Sequence, residues 1–191
     1  EYCIGNEVLD PCAGWGNRLS ATVSLGKNYQ GIQPSTKTYI ALMAMKKWFE
    51  EHNEKSTITI LKGVAENSEY YKDSFFDLCI TSPPYYNLEE YSYEDSQSCV
   101  GYTHFDSWVD KFLRVMINNV YNSLKIGACF ILNVGDVGKI NLTEVSKELC
   151  IEVGFSLEKT YSLRPFKKPG MEKTWQEPIF VFRKGDCHGE L

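Results

Sequence analysis

Short apolar runs alternate along the chain with longer stretches in which apolar residues recur every three or four positions. The runs predict five strands, at residues 7–10, 29–33, 58–61, 75–81 and 128–134. The stretches between them predict helices at about 17–25, 35–53, 106–127 and 143–153. Ser35 and Asp106 are the expected N-caps of the second and third helices, and Gly127 is the expected end of the third.

This alternation predicts an α/β fold, with a mostly parallel sheet and helices on both faces. Two further strands, at residues 156–163 and 178–184, have no helix between them and predict an antiparallel hairpin at one edge. A length of 191 residues suits a single domain over residues 1–191. The chain opens on Glu1 rather than methionine, which suggests that upstream residues are missing.

The composition, with 43% hydrophobic and 24% charged residues, is that of an ordinary soluble globular protein. No run approaches eighteen consecutive apolar residues, so no membrane span is expected. The cysteines number seven, which is odd, and no CxxC pair occurs, so we expect reduced, buried thiols in a cytoplasmic protein. His52, His104 and His188 are scattered along the sequence, so no metal site is expected.

The net charge of −5 argues against a protein that binds nucleic acid over its whole surface. A local basic patch nevertheless lies near the C-terminus, where basic residues outnumber acidic ones. Its members are Arg164, Lys167, Lys168, Lys173, Arg183 and Lys184. The patch is either a solvated hairpin loop or a phosphate-contacting surface, and the sequence does not decide between them.

The sequence DPCAGWG, residues 10–16, lies between the first predicted strand and the first predicted helix. Gly14 and Gly16 would let the backbone approach a ligand closely, and the helix N-terminus offers free N–H groups. The loop matches neither G-x-G-x-x-G nor the phosphate loop, because residue 19 is leucine and no G-K-[ST] follows. In a doubly wound sheet the first and fourth strands are neighbours. This glycine loop should therefore share a crevice with Thr81-Ser82-Pro83-Pro84-Tyr85, the proline corner that ends the fourth strand.

Together, DPCAGWGNR and TSPPYYNLEEYS resemble the motifs of S-adenosylmethionine-dependent amino-methyltransferases, above all the N4-cytosine and N6-adenine DNA methylases. The resemblance covers almost the whole chain. It implies a Rossmann-like class I methyltransferase fold, with a mostly parallel seven-stranded sheet and an antiparallel C-terminal hairpin. It also implies S-adenosylmethionine as cofactor, DNA as substrate and a role in restriction–modification. No target-recognition domain is evident, so one would lie outside this chain or in a partner subunit.

The resemblance assigns roles to individual residues. It implies cofactor contacts from Asp10, Pro11, Cys12, Ala13, Gly14, Trp15, Gly16, Gln33, Pro34, Val64, Ala65 and Glu66. It implies catalysis by Thr81, Ser82, Pro83, Pro84 and Tyr85. The Ser82 side chain and the Pro83 carbonyl would accept hydrogen bonds from the substrate amine, and Tyr85 would stack on the base. The resemblance also implies N4 of cytosine over N6 of adenine, because adenine enzymes of the family more often carry aspartate or asparagine where this chain has Ser82.

Two cofactor positions depart from the family pattern. Gln33 ends the second strand, where the family usually carries an acidic residue for the ribose hydroxyls, and glutamine lacks that charge assistance. Val64 stands where an acidic residue often contacts the adenine, and Glu66 follows two positions later. A non-catalytic binding module of the same fold is therefore an alternative. An RNA or tRNA base methyltransferase is another, because its fold would be similar.

Four further features have two interpretations each. Cys12 is expected to be a loop residue near the cofactor rather than a cytosine-C5 nucleophile, which would follow the fourth strand. Trp15 either lines the cofactor pocket or packs on the adjacent helix. Arg18 lies in the first turn of a helix, which hints at a carboxylate or phosphate partner. The polar, aromatic stretch 88–102 follows the proline corner and is favoured as a lid over a plain solvent loop.

Overall fold

The computed structural model describes residues 2–52, 55–86, 94, 96–163 and 177–185. In these residues seven strands form one sheet, with helices on both faces. The strands are β1 Glu7–Asp10, β2 Asn28–Gln33, β3 Ile58–Lys62, β4 Phe76–Thr81, β5 Leu124–Asn133, β6 Phe155–Leu163 and β7 Glu177–Lys184. The helices are α1 Asn17–Ser24, α2 Thr36–His52, α3 Ser98–Gly101, α4 Phe105–Trp108, α5 Arg114–Ser123 and α6 Leu142–Val153.

The strand order across the sheet is β3-β2-β1-β4-β5-β7-β6. The first five strands are parallel, whereas β7 runs antiparallel to both β5 and β6. This order confirms the predicted mixed sheet, its C-terminal antiparallel strands and the pairing of the first strand with the fourth. Because β1 pairs with β2 on one side and β4 on the other, the switch point of the sheet lies between β1 and β4. Ligands bind outside the carboxyl ends of the strands at such a point.

Buried apolar side chains cover both faces of the sheet. On one face a cluster around Tyr29 includes Leu19 of α1 and Leu42 of α2. On the opposite face a larger cluster around Phe130 includes Met116 of α5. Burying each such aliphatic or aromatic side chain contributes about 1.5–3 kcal/mol, so the two clusters hold the helices against the sheet.

The third predicted helix begins differently from the prediction. Its N-cap is His104 rather than Asp106, and Asp106 lies in the first turn, where its charge is favourable to the helix dipole. After Trp108 the helix widens into a π-helical stretch, Val109–Leu113, before it continues as α5. Such stretches are rare and often occur near functional sites.

The same helix ends earlier than predicted. It stops at Ser123 rather than Gly127, and Leu124 already has the extended backbone of β5, with φ −76° and ψ 143°. The Lys184 ammonium donates to the carbonyl oxygens of Tyr121 at 2.7 Å and Leu124 at 2.8 Å. This contact, from a distant part of the chain, satisfies carbonyls at the helix end. Gly127 instead lies within β5 at φ +77°, beside an irregularity in the pairing with β4.

The fifth strand, β5, begins at Leu124, four residues before its predicted start. All other predicted bounds agree with the structure to within one residue. The loop at 164–176, with four members of the predicted basic patch, lies outside the described residues. Of the predicted lid, residues 88–93 and 95 also lie outside them. None of the helices that the structure describes is long and apolar enough to cross a membrane.

Candidate functional site

A cleft opens at the carboxyl ends of β1, β2, β3 and β4. Its volume, including the open mouth, is about 630 Å³, which lies within the range of small-molecule sites. The lining combines the glycine loop, the ends of β2 and β3, the proline corner and part of the segment that follows it. The lining residues are Pro11, Cys12, Gly14, Trp15, Gln33, Pro34, Thr38, Val64, Ala65, Glu66, Ser82, Pro84, Ser96, Gln97, Ser98 and Phe112.

The predicted site residues divide into two groups in the structure. The members that line the cleft are Pro11, Cys12, Gly14, Trp15, Gln33, Pro34, Val64, Ala65, Glu66, Ser82 and Pro84. The other members are buried and do not line it, and these are Asp10, Ala13, Gly16, Thr81, Pro83 and Tyr85. The structure therefore brings the two motifs to one cleft and places six of their residues in its supporting layer.

Gly14 and Gly16 are required in the loop for different structural reasons. Both have left-handed backbone, with φ +55° at Gly14 and +84° at Gly16. A Cβ at Gly16 would lie 2.8 Å from Met45 and 2.9 Å from Leu42, so close packing of the loop against α2 requires glycine there. A Cβ at Gly14 would come no nearer than 3.8 Å to the described protein atoms. The backbone at Gly14 is thus open toward the cleft, where it leaves room for a ligand.

Asp10 joins the glycine loop to the proline corner. Its buried carboxylate accepts hydrogen bonds from the Thr81 hydroxyl at 2.8 Å, the Tyr29 hydroxyl at 2.9 Å and the Cys12 amide at 3.3 Å. The Cys12 amide also donates to the Thr81 hydroxyl oxygen at 3.2 Å. Asp10 therefore fixes the ends of β1 and β4 relative to each other, and does so from behind the cleft.

The anionic partner predicted for Arg18 is the carboxylate of Asp10 in the same chain. Its Nε donates to Asp10 Oδ2 at 2.8 Å and its Nη2 to Asp10 Oδ1 at 3.2 Å, and Nη2 also donates to the Cys12 carbonyl oxygen. Burial disfavours the charged guanidinium, but the Asp10 carboxylate outweighs this and raises the pKa of Arg18. The ion pair anchors the first turn of α1 to the glycine loop.

Cys12 lines the cleft as a protonated thiol. Burial, reinforced by the negative charge of Asp10, raises its pKa to about 12. Its Sγ lies 3.8 Å from Sδ of Met116 in the core. A thiolate is the nucleophilic form of cysteine, so this environment disfavours nucleophilic chemistry at Cys12.

Trp15 also lines the cleft, and 65% of its surface is exposed.

Gln33 is held at the end of β2 by the backbone around it. Its Oε1 accepts a hydrogen bond from the Ser35 amide at 2.9 Å, and its Nε2 donates to the Gly14 carbonyl oxygen at 3.4 Å. The side chain thereby bridges the glycine loop and the start of α2. The second of these bonds is long and therefore weak.

Glu66 brings a carboxylate with an unused oxygen into the cleft wall. Its Oε1 accepts from the Tyr102 hydroxyl at 3.3 Å, whereas Oε2 is buried and has no hydrogen-bond partner among the described residues. Burial raises the pKa of this carboxyl. The backbone here is fixed by the Asn119 side-chain amide, which donates to the Glu66 carbonyl oxygen at 3.2 Å. Val64 contributes an apolar surface to the same wall.

The proline corner presents its residues alternately to the cleft and to the core. Ser82 and Pro84 are half-buried and line the cleft, whereas Pro83 and Tyr85 are buried. Tyr85 belongs to the large core cluster, and its hydroxyl lies 3.3 Å from the Ser82 hydroxyl. Tyr86 follows in left-handed backbone at φ +51°. No proline of this corner forms a cis peptide bond in the part of the chain that the structure describes.

Two described residues of the predicted lid, Glu94 and Ser96, contact the side of the cleft opposite the proline corner. Glu94 accepts hydrogen bonds from the Thr36 amide at 2.9 Å and hydroxyl at 2.8 Å, and pairs with Lys62 at 3.3 Å. Ser96 donates to the Pro34 carbonyl oxygen at 3.2 Å. The described part of the predicted lid therefore contacts the ends of β2 and β3.

Five residues that line the cleft were not predicted from the sequence as site residues. They are Thr38, Ser96, Gln97, Ser98 and Phe112. Three of them belong to the stretch that was predicted as a lid, so position after the proline corner was the usable signal. Phe112 has the spacing of an ordinary core residue in the sequence, but it lies in the π-helical stretch and reaches the cleft. No sequence pattern marked that stretch.

The two described members of the predicted basic patch are engaged within the fold. Arg183 donates to Glu158 from Nη2 at 2.8 Å and to the Gly127 carbonyl oxygen from Nη1 at 2.7 Å. Lys184 is buried and donates to the carbonyls that end α5. These two residues therefore have structural roles at the sheet edge.

No family model and no curated protein matches the chain. Solved structures match over nearly its whole length. An SAM-dependent methyltransferase from Methanosarcina mazei is 13% identical, with a TM-score of 0.66, over 96% of this chain and 95% of that one. A TehB-like SAM-dependent methyltransferase from Corynebacterium glutamicum is 16% identical, with a TM-score of 0.59, over 94% and 80%.

A third similar structure is the Burkholderia thailandensis 1,6-didemethyltoxoflavin-N1-methyltransferase with bound 1,6-didemethyltoxoflavin and S-adenosylhomocysteine. It is 13% identical, with a TM-score of 0.62, over 94% of this chain and 71% of that one. The chain has the fold of the Rossmann-like SAM-dependent methyltransferases. At these identities the likeness concerns the fold, and the chemistry has to be argued from the cleft itself.

Proposed function

We propose that this protein transfers a methyl group from S-adenosylmethionine to an exocyclic amine of a nucleobase, with N4 of cytosine favoured and N6 of adenine second. One observation carries the proposal. The Asp10–Thr81 hydrogen bond holds the open glycine loop and the Ser-Pro-Pro-Tyr corner on one cleft. A cofactor loop alone would support methyl transfer to many acceptors, whereas the proline corner supports an amine.

The cleft has features that fit the cofactor. Space beside Gly14 admits a ligand close to the backbone, and the unused Oε2 of Glu66 suits a donor such as the adenine amine. Gln33, at the end of β2, can hydrogen-bond a ribose hydroxyl. When bound, S-adenosylmethionine supplies an electrophilic methyl group on its sulfonium. The residues of the cleft would orient the acceptor toward that methyl and exclude water.

The proline corner has the chemistry of an amine-binding wall. The lone pair of an exocyclic amine is delocalised into the ring, which makes the nitrogen a poor nucleophile. Two acceptors beside the NH2 group would draw its hydrogens aside and turn the lone pair toward the methyl group. The Ser82 hydroxyl and the Pro83 carbonyl are the acceptors that we infer, and neither proline offers a competing N–H.

A nucleobase in a duplex would have to leave the stack to reach this wall, at a cost of roughly a few kcal/mol. We propose DNA as the substrate, with RNA as the alternative. The geometry favours no role for Arg183 and Lys184 in phosphate contact, since both are engaged in the sheet. Only about 14 residues separate Glu66 from Thr81, too few for a recognition domain inserted there, so we propose that target recognition comes from a separate domain or subunit.

The deciding experiment is mass spectrometry of nucleosides after incubation with methyl-labelled S-adenosylmethionine. Duplex DNA, single-stranded DNA and tRNA are tested in parallel, with Ser82→Ala as the catalytic control. Label in N4-methylated (deoxy)cytidine or N6-methylated (deoxy)adenosine, strongly reduced but measurable in Ser82→Ala, is the expected result. Cofactor binding without label in any nucleobase would overturn the amine assignment. Absence of cofactor binding as well would leave the binding-module alternative.

A further inference from the structure

The Ser82 hydroxyl donates a hydrogen bond to the Tyr85 hydroxyl oxygen at 3.3 Å. Ser82 lies on the surface of the cleft wall, and Tyr85 lies behind that surface, in the core. Ser82 lines the cleft, while Tyr85 is only 8% exposed and packs in the core cluster. The bond therefore runs from the cleft wall inward, behind the surface that a substrate would meet.

The direction of this hydrogen bond matters because a serine hydroxyl can act either as a donor or as an acceptor. It has one hydrogen to donate and two lone pairs that accept. An aspartate or the oxygen of an asparagine at the same position would be an acceptor without further help. A serine acts purely as an acceptor only when its hydrogen is directed elsewhere. A hydrogen pointed into the cleft would instead bond the amine lone pair that has to attack.

We infer that Tyr85 is a positioning residue: its hydroxyl takes the Ser82 hydrogen and so presents both Ser82 lone pairs to the substrate amine. This rests on the proposed function, since it specifies how the Ser82 side chain acts in it. It assigns Tyr85 a role through its hydroxyl rather than through its ring face. The stacking role that the resemblance implies needs a ring exposed to the cleft, and the ring is buried here.

A double-mutant cycle on Ser82 and Tyr85 tests this inference. Tyr85→Phe keeps the ring and removes only the hydroxyl. Because the bond is long at 3.3 Å, kcat for nucleobase methylation should fall only about two- to threefold, the lower end for one neutral hydrogen bond. Cofactor affinity should not change. In a Ser82→Ala background the same Tyr85→Phe change should have no further effect on kcat. The urea midpoint of unfolding is measured for all four proteins and should show the same non-additivity.

Tyr86→Phe is the matched control. Tyr86 is the neighbouring buried tyrosine, and its hydroxyl donates to the Thr103 carbonyl oxygen at 2.5 Å instead of contacting Ser82. Its variant should lose stability but keep kcat, which separates positioning of Ser82 from the general loss of a buried hydroxyl.

The outcomes separate this inference from the proposed function. An active wild type in which Tyr85→Phe keeps full kcat, or lowers it equally in both Ser82 backgrounds, overturns the positioning role alone. A wild type that binds cofactor and methylates no nucleobase overturns the proposed function, and the positioning role with it. In that case an additive urea cycle would show that the Ser82–Tyr85 contact is also absent in solution, and a non-additive one that it is structural only.

Discussion

The Thr81 hydroxyl donates a 2.8 Å hydrogen bond to Oδ1 of Asp10, and so joins the last residues of two neighbouring strands. Both side chains are buried, with 1% and 0% of their surfaces exposed. The relative position of the two motifs depends on this hydrogen bond, because the glycine loop starts after Asp10 and the proline corner starts at Thr81.

Replacing Thr81 by valine should loosen both motifs together. Thr81→Val keeps the shape and removes the donor, so Asp10 loses one hydrogen bond of a charged group, which is worth about 1.5–3 kcal/mol. We expect the free energy of unfolding in urea to fall by about this amount and cofactor binding to weaken. Thr81→Ser, which keeps the hydroxyl, should lose much less. A loss in Thr81→Val no larger than that in Thr81→Ser would show that the bond to Asp10 contributes no more than packing of the methyl group.

The two loop glycines should separate binding from stability. Gly14→Val should abolish cofactor binding by steric block. Its loss of stability should come from backbone strain at φ +55° alone, because the described protein atoms leave 3.8 Å beside a Cβ there. Gly16→Ala should instead destabilise the fold by roughly 1–3 kcal/mol through overpacking against Met45. Calorimetry for binding and urea for stability distinguish the two effects.

Gly26→Ala is the control for backbone strain. Gly26 has φ +69° and nothing within 4 Å of an added Cβ among the described atoms, so its variant measures the left-handed backbone alone. If Gly16→Ala costs no more than Gly26→Ala, packing against α2 does not explain Gly16. If Gly14→Val binds cofactor normally, the ligand does not approach the loop there.

The strand order, the shared cleft and the proline corner could be predicted because they follow from local patterns and from rules for parallel sheets. The partner of Arg18 could not, because its contact with Asp10 depends on how the loop folds back over the strand end. The true end of α5 depends on Lys184, which is far away in the sequence. The lining role of Phe112 depends on a π-helical stretch without a sequence signature. The burial of Tyr85 likewise depends on packing against residues of other elements.

Glu66 should strengthen cofactor binding through its unused oxygen. Glu66→Ala should weaken cofactor affinity by roughly tenfold or more, since hydrogen bonds to charged groups are worth about 1.5–3 kcal/mol. The pKa of Glu66 is raised by burial, so affinity should fall with decreasing pH already above the ordinary glutamate pKa of about 4.3. Calorimetry at several pH values checks both effects. Glu69→Ala removes an exposed charge from the same segment and should change neither, and an equal effect in both variants would show general electrostatics instead.

Gln33→Glu should tighten cofactor binding and slightly destabilise the unliganded protein. A carboxylate makes stronger, charge-assisted bonds to ribose hydroxyls than an amide does. Without ligand, a carboxylate oxygen would replace Nε2 of Gln33, which donates to the Gly14 carbonyl oxygen at 3.4 Å. Two hydrogen-bond acceptors, the new carboxylate oxygen and the Gly14 carbonyl oxygen, would then face each other. Calorimetry and thermal unfolding without cofactor measure the two consequences. Unchanged or weaker affinity would show that Gln33 does not contact the ribose.

Asp77, at the opposite end of β4 from the cleft, should make stability depend on acidic pH. Its carboxylate accepts from the Asn6 and Glu7 amides at 2.9 Å each and pairs with Lys125 at 2.8 Å. Burial opposes the charge, but the Lys125 bond and the two amides outweigh it and lower the pKa of Asp77. A carboxyl whose pKa is lower when folded contributes stability that is complete above its unfolded pKa of about 3.9 and lost as pH falls through the folded value.

The urea midpoint of the wild type should therefore drop more steeply below about pH 4 than that of Asp77→Asn, which is less stable at neutral pH. Lys125→Met should show a smaller drop than the wild type because one of the groups that lowers the pKa is gone. Parallel pH profiles for the wild type and Asp77→Asn would contradict the assignment and place the acid sensitivity in other carboxyls.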